Sequence, residues 1–180
     1  MKKLPLQKAF TLIEPGPVVL VTTASKGRAN IMTISWTMVM DFTPRFALVT
    51  GQWNYSYEAL LKTKECVISI PAADLLKKVV QIGDCSGRDT DKFKKFALTP
   101  LKASQVQAPL IKECFANIEC RVVDHIAKHD IFVLDGLCAW ISGSLKDKRF
   151  IHAIGDGSFT VDGCRINHRK LMLDKLPSGV

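Results

Sequence analysis

The order of hairpins constrains this chain more than any other feature. Residues 17–24, Pro-Val-Val-Leu-Val-Thr-Thr-Ala, are rich in β-branched side chains, which suit a pleated strand better than a helix. They run into Ser25-Lys26-Gly27-Arg28, whose glycine tolerates a tight reversal, and straight out into a second strand-like run over 29–37. In that run Met32, Ile34, Trp36 and Met38 share one parity and Thr33, Ser35 and Thr37 the other, predicting one bulky apolar face and one hydroxyl face. Strands are also predicted over 45–51, 65–70 and 131–141. Between 116 and 122, Ala116, Ile118, Cys120 and Val122 alternate with Asn117, Glu119 and Arg121, which predicts a half-buried antiparallel strand with the polar set outward. Residues 159–166, with Asp162-Gly163 at their centre, read as a hairpin, and Gly155-Asp156-Gly157 as a turn. Helices are expected from an Asn54 cap to Lys62, from an Asp74 cap over 75–82 with Gly83 as the stop, and over the charged stretch 89–96. Six to eight strands in hairpin order with two or three short helices place the chain in the mainly β (α+β) class. A closed or nearly closed antiparallel barrel is the expected architecture, since closure removes sheet edges.

Composition narrows the function classes. A chain of 180 residues, 47% hydrophobic and 23% charged, matches one ordinary globular domain over 1–180 and excludes a disordered or collagen-like polymer. The net charge of +8 and pI near 9.3 raise nucleic acid as a partner. The lysines and arginines are spread along the chain, however, with modest clusters at 88–95, 146–149 and 165–170. A duplex needs a continuous basic stripe, and a single strand needs aromatic platforms among the cations. A small anion needs one cluster, so the expectation is no nucleic acid. Uncharged apolar runs such as 17–21 are far too short for a bilayer, so no membrane partner is expected. After Met1-Lys2-Lys3 the apolar stretch is broken by Pro5, Lys8, Glu14 and Pro15, which points to a cytoplasmic location. The six cysteines make no CxxC pair and no finger-like spacing and mostly lie among apolar neighbours, as small buried hydrophobes in a reducing compartment do. Cys85 differs, because it precedes Ser-Gly-Arg on a predicted loop and reads as either a reactive thiol or a simply exposed one. His125 and His129 are four apart but fall in strand and turn rather than helix, so no metal site is expected.

Three segments concentrate hydroxyl and amide groups beside a cation: Arg-Ala-Asn-Ile-Met-Thr-Ile-Ser-Trp-Thr at 28–37, Thr-Gly-Gln-Trp-Asn-Tyr-Ser-Tyr at 50–57 and Cys-Ser-Gly-Arg-Asp-Thr-Asp-Lys-Phe at 85–93. Such groups, with free N–H donors at a helix start, suit a phosphate, and tryptophans suit a flat heteroaromatic ring. Taken singly, Trp36 reads as well as core, Thr33, Ser35 and Thr37 as cross-strand hydroxyl pairs, and Arg88 and Lys92 as surface partners of Asp89 and Asp91. Taken together and in order, these segments closely resemble the flavin reductase-like family and its flavoredoxin branch, over about 15–140. The most specific marks are Asn-Ile-Met-Thr-Ile-Ser-Trp at 30–36 and Ser-Gly-Arg-Asp-Thr-Asp-Lys-Phe at 86–93.

The resemblance implies an FMN-binding split β-barrel and a homodimer with FMN near the subunit interface. It implies an NAD(P)H:FMN oxidoreductase-like enzyme that passes hydride from NADH or NADPH to flavin N5 and then electrons to a small-molecule or protein acceptor. The alternative is a flavoredoxin-type FMN electron-transfer protein without its own nicotinamide site. Carried onto this chain, the cofactor-binding residues are Asn30, Met32, Thr33, Ser35, Trp36 and Thr37, then Thr50, Gly51, Asn54, Tyr55, Ser56 and Tyr57, then Ser86, Gly87, Arg88 and Lys92. FMN carries the chemistry, so no catalytic side chain is implied, and Lys92 is the expected cation beside the reduced ring. Where many family members have Gly-Asp-His ahead of a strand, associated with the nicotinamide, this chain has Ala127-Lys128-His129. His129 is therefore the nicotinamide-site candidate.

Overall fold

The computed structural model describes residues 1–177. Strand β1 (Lys2–Leu4) leads into a 3₁₀ segment, Leu6–Leu12, followed by β2 (Val19–Ser25) and β3 (Arg28–Ile34). These two form the expected hairpin, with Ser25 opposite Arg28 and both Lys26 and Gly27 at positive φ, as the right-handed twist of paired strands requires. Then come β4 (Thr37–Val39), β5 (Arg45–Val49), α1 (Tyr57–Thr63), β6 (Glu65–Ile70), α2 (Leu76–Gly83) and α3 (Lys92–Lys95). The chain continues through β7 (Pro100–Leu101), β8 (Leu110–Ile111), β9 (Ala116–Ile126), β10 (Ile131–Ile141), β11 (Ile151–Ala153) and β12 (Phe159–Val161). Among the described residues no helix is long and apolar enough to cross a membrane.

The main sheet has eight antiparallel strands in the order β3-β2-β6-β9-β10-β5-β4, with β1 added on β10. Its two ends, β3 and β4, are consecutive in the chain and are joined through Ser35-Trp36 rather than by a ladder. The sheet is therefore a half-barrel split at that link, not a closed barrel, and the run 29–37 is two strands rather than one. The break also undoes the predicted apolar parity. Met32 and Ile34 point into the core, whereas Trp36 and Met38, beyond the break, are 63% and 57% exposed.

The main core fills the concave side, where α1 contributes Tyr57 and Leu60 and the N-terminal 3₁₀ segment contributes Ala9, Phe10 and Leu12. Two smaller clusters cover parts of the convex side. Val79 and Ile82 of α2 with Phe93 and Phe96 pack on Leu20 and Ile31, and Ala103, Val106, Ala108 and Leu110 pack on Val67. This second layer corrects the outward reading of β9. Asn117 and Glu119 do alternate with the core residues, but the loop over 102–110 roofs them and both are fully buried. Asn117 holds Ile111 by its N–H and carbonyl at 2.9 and 3.1 Å. Both Glu119 carboxyl oxygens accept from Ser104, and they also take the Gln105 N–H and Trp140 Nε1–H. A polar residue on a sheet's outer face is buried when enough donors come with the covering loop.

Local corrections follow the same logic of partners. Asn54 does not cap α1, because its amide donates to Thr50 Oγ1 at 2.9 Å and the helix starts at Tyr57. Asp74 lies inside a 3₁₀ turn, Ala73–Leu75, and makes no cap to α2. The helix expected over 89–96 contracts to α3, with Asp91 Oδ1 accepting from Lys94 N at 3.1 Å. The last hairpin pairs β11 with β12 around Gly155 and Gly157, both at positive φ, while Asp162 leaves the turn role to accept from Phe150 N.

Candidate functional site

The β2–β3 hairpin, the chain leading into α1 and the loop between α2 and α3 converge on the split of the barrel. At their meeting point Asn30 of β3 is buried, and its Nδ2 donates to Ser56 Oγ at 2.8 Å, just ahead of α1. Thr23 of β2 donates to the same oxygen at 3.1 Å. Asn30 Oδ1 has no hydrogen-bond partner, although the residue is 6% exposed and lines a cavity. An unpaired buried acceptor costs about 1–3 kcal/mol, which makes Asn30, a residue of the cavity wall, a candidate to meet a ligand's donor. Gly87 is seated directly against it, and a Cβ there would stand 2.1 Å from Asn30 Oδ1. Gly51 is similarly placed, its missing Cβ 2.2 Å from the Trp53 ring.

Lys92 opens α3 but is buried, contrary to a surface pairing with Asp89 and Asp91. Its ammonium donates to Ile82 O near the end of α2 at 2.8 Å and has no carboxylate within 4 Å among the described residues. Burial holds its pKa below the ordinary lysine value, with the nearby Cys85 acting in the opposite sense and Lys95 in the same one. The loop before it is held by Arg28, which donates to Arg88 O at 3.2 Å, and by Ser86 Oγ, which accepts from Arg88 N at 3.1 Å. Phe93 and Phe96 anchor α3 in the apolar layer over β3.

Three neighbouring cavities that share lining residues lie along β3 and together outline a trough. A central one of about 200 Å³ is lined by Asn30, Met32, Thr33, Asn54, Tyr55, Ser86, Gly87 and Lys92, with Trp53, Asp84 and Cys85. Through Thr33, Trp53 and Asn54 it continues into an aromatic end of about 280 Å³ flanked by Ser35 and Trp36. Through Asn30 and Tyr55 it continues the other way into a cationic end of about 340 Å³, which carries Lys26, Arg28 and Lys62 with Glu58.

The predicted residues sort accordingly. Ten of the sixteen line this trough: Asn30, Met32, Thr33, Ser35, Trp36, Asn54, Tyr55, Ser86, Gly87 and Lys92. Thr50, Gly51 and Ser56 stand behind its wall, Thr50 and Ser56 as the hydrogen-bond partners of Asn54 and Asn30. Thr33 is not a free hydroxyl, since it donates to Val79 O at 2.7 Å and so fixes α2 against β3. Tyr57 is instead a core residue, packed edge-on to Phe132 and His125. Thr37 pairs with Leu48 across β4 and β5 and does not line the trough. Arg88 is exposed, with its carbonyl rather than its side chain tied in. His129 is exposed in the 3₁₀ turn between β9 and β10, whose end is tied to the site by Thr50 N donating to Asp130 O at 3.1 Å. Trp53, Lys26 and Lys62 escaped the sequence reading. Trp53 sits inside a segment already singled out, whereas Lys26 reads as a turn residue and Lys62 as an ordinary partner of Glu58, which it does meet at 3.4 Å.

Comparison with known proteins places the fold and the family. Residues 13–155 match the flavin reductase like domain. A protein of Archaeoglobus fulgidus is 32% identical over 145 residues, covering 75% of this chain and 82% of that one. The structure of an FMN-binding domain of flavin reductases-like enzyme from Shewanella baltica superposes with a TM-score of 0.84 at 24% identity, over 92% of this chain and 95% of that one. Flavoredoxin of Desulfovibrio vulgaris superposes with a TM-score of 0.78 at 24% identity, over 84% of this chain and 89% of that one.

Proposed function

The chain belongs to the flavin reductase-like domain family, and from the polarity of its trough we propose that it binds FMN and works as an FMN-dependent oxidoreductase using NADH or NADPH. The observation that carries this reading is the gradient along β3, from two tryptophans at one end to three cations at the other, with a buried unpaired acceptor between them. A flavin mononucleotide has the matching order of parts: a flat apolar ring, a hydroxylated chain and a phosphate. The residues fit it. Asn30 takes a ligand donor on Oδ1, Gly87 and Gly51 let Asn30 and Trp53 pack close against the backbone, and Trp36 and Trp53 flank the ring end. Lys26, Arg28 and Lys62 give the phosphate end its positive potential. Lys92 sets a desolvated ammonium against the middle of the trough, where a positive charge acts strongly on a bound anion.

When bound, FMN supplies reversible hydride and electron transfer between the nicotinamide and an acceptor. The chain's own part is to bind, orient and shield. Trp36 at the ring end, and Met38, Met40 and Phe42 further along β4 and beyond it, are exposed apolar side chains that a second copy of the chain would cover in a homodimer. The test is the absorption spectrum of desalted protein before and after anaerobic NADPH or NADH. Yellow protein bleached by either nucleotide supports the reading; colourless protein that FMN does not stabilise overturns it.

One observation favours a second reading, a flavoredoxin-type electron carrier. Ala127 and Lys128 replace the expected triplet residues, and His129 stays on an exposed turn outside the trough lining. That carrier would be yellow and reducible by dithionite, and neither nucleotide would bleach it.

A further inference from the structure

We propose that Cys85 is a covalent modification site inside the cofactor cavity, where thiolation of its sulfur and binding of FMN exclude one another. The inference rests on the FMN reading above. Cys66, Cys114, Cys120 and Cys138 are buried, and Cys164 is exposed on the C-terminal side of β12. Cys85 is the half-buried cysteine that lines the central part of the trough. Its sulfur makes a long contact, 3.9 Å, to Ile82 O, the same carbonyl that accepts from Lys92 Nζ at 2.8 Å. The sulfur, at the edge of the apolar layer formed by Val79, Ile82 and Phe93, thus lies near a buried ammonium that has no carboxylate partner among the described residues. Thiol–disulfide exchange runs through a thiolate, and an anion at this place faces that positive charge.

A second observation marks the same cavity as a place built for a ligand. Asn30 Oδ1 is buried without a partner on its wall. The central cavity holds about 200 Å³, so a group attached to Cys85 occupies the room that FMN needs.

The step is balanced by a low-molecular-weight disulfide as oxidant. The Cys85 sulfur attacks one sulfur of R–S–S–R, the S–S bond of the reagent breaks, and a new S–S bond forms to Cys85. One thiolate, RS⁻, leaves with the electron pair, and the thiol proton passes to solvent. Cys85 is oxidised and half of the reagent is reduced. A dithiol reductant reverses the exchange and reopens the cavity.

The experiment uses Cys164→Ser protein and 4,4′-dithiodipyridine, whose released thiopyridone counts reacting thiols while peptide mass mapping locates them. One thiol per native chain is expected to react, at Cys85. FMN at 100 times its Kd should slow that reaction on the order of 100-fold, since only ligand-free protein reacts. The pyridylated protein should bind no FMN until dithiothreitol restores it, whereas Cys85→Ser/Cys164→Ser protein should show the same FMN Kd before and after reagent. FMN that binds yet leaves the Cys85 rate unchanged overturns the proposal, as does pyridylated protein with an unaltered Kd or loss of FMN by the treated double variant. Untreated protein that binds no FMN overturns the flavin reading itself, and mutual exclusion falls with it.

Discussion

Replacing Lys92 by methionine separates a functional charge from a structural one. The side chain is 5% exposed, its ammonium has one carbonyl partner at 2.8 Å, and no carboxylate lies within reach among the described residues. Methionine has a similar length and removes a charge that its burial disfavours. Against that gain stands one lost hydrogen bond and an Ile82 carbonyl left unpaired, about 1–3 kcal/mol. The two effects oppose one another, so Lys92→Met protein without ligand is expected to melt within a few degrees of the parent. FMN affinity falls. A charge-assisted bond from the ammonium to an acceptor of the ligand contributes about 1.5–3 kcal/mol, so Kd should rise roughly 10- to 150-fold. Its pH dependence gives an independent sign. Burial depresses the Lys92 pKa in the free protein. The unfolded chain then binds more protons than the folded one between the depressed and ordinary values, so this group's contribution to folding stability improves as pH rises through that window. A bound anion restores the proton. FMN affinity should therefore weaken as pH rises through the same window, by at most about tenfold per pH unit. Isothermal titration of both proteins against pH, with a thermal melt of each, reads both effects. Lys92→Met protein that keeps parental affinity and the parental pH slope while losing thermal stability would refute this account and make Lys92 a structural group.

Four further outcomes follow from the geometry. Gly87→Ala should cost roughly 1–3 kcal/mol and weaken FMN binding, because its Cβ meets the buried Asn30 amide at 2.1 Å. Gly51→Ala should cost less stability than Gly87→Ala, because the nearest atoms its Cβ meets belong to the ring of Trp53, which is 66% exposed and can turn aside. Glu119→Gln should lower stability by about 2–4 kcal/mol, some 5–15 °C in Tm, by turning an amide donor on the donors of Ser104, Gln105 and Trp140. It should leave FMN affinity unchanged in titration, since Glu119 lies under the loop over 102–110 and not in the trough. Ser in place of both Trp36 and Met38 should shift sedimentation from dimer to monomer at micromolar concentration. A dimer that persists places the interface elsewhere.

The elements legible in the chain are those whose cause is local. The Ser25–Arg28 reversal, the alternation of β9 and the donor-rich segments at 30–36 and 86–93 were all visible because period, turn chemistry and residue type are properties of neighbours. The misreadings share an opposite cause. Nothing local in Ile34-Ser35-Trp36-Thr37 tells that the ladder partner changes from β2 to β5 there, and that change turns Trp36 and Met38 from core to surface. Glu119 reads outward until the loop over 102–110, fifteen residues upstream at Ser104, folds over it with donors. Lys92 looks like a solvated lysine among aspartates, and only packing α3 against the end of α2 strips its water and sets it beside Cys85.

By itself, then, the sequence determined the strand-rich class, the hairpin order and which residue types could meet a flavin, because those follow from short-range periodicity and chemistry. The tertiary structure alone decided that the barrel stays split and that the split becomes a trough. It also decided which hydroxyls are spent inside the protein and which acceptor and which cation are left unpaired. Those outcomes depend on what each group loses to its neighbours on leaving water, and desolvation is set by residues distant in the chain.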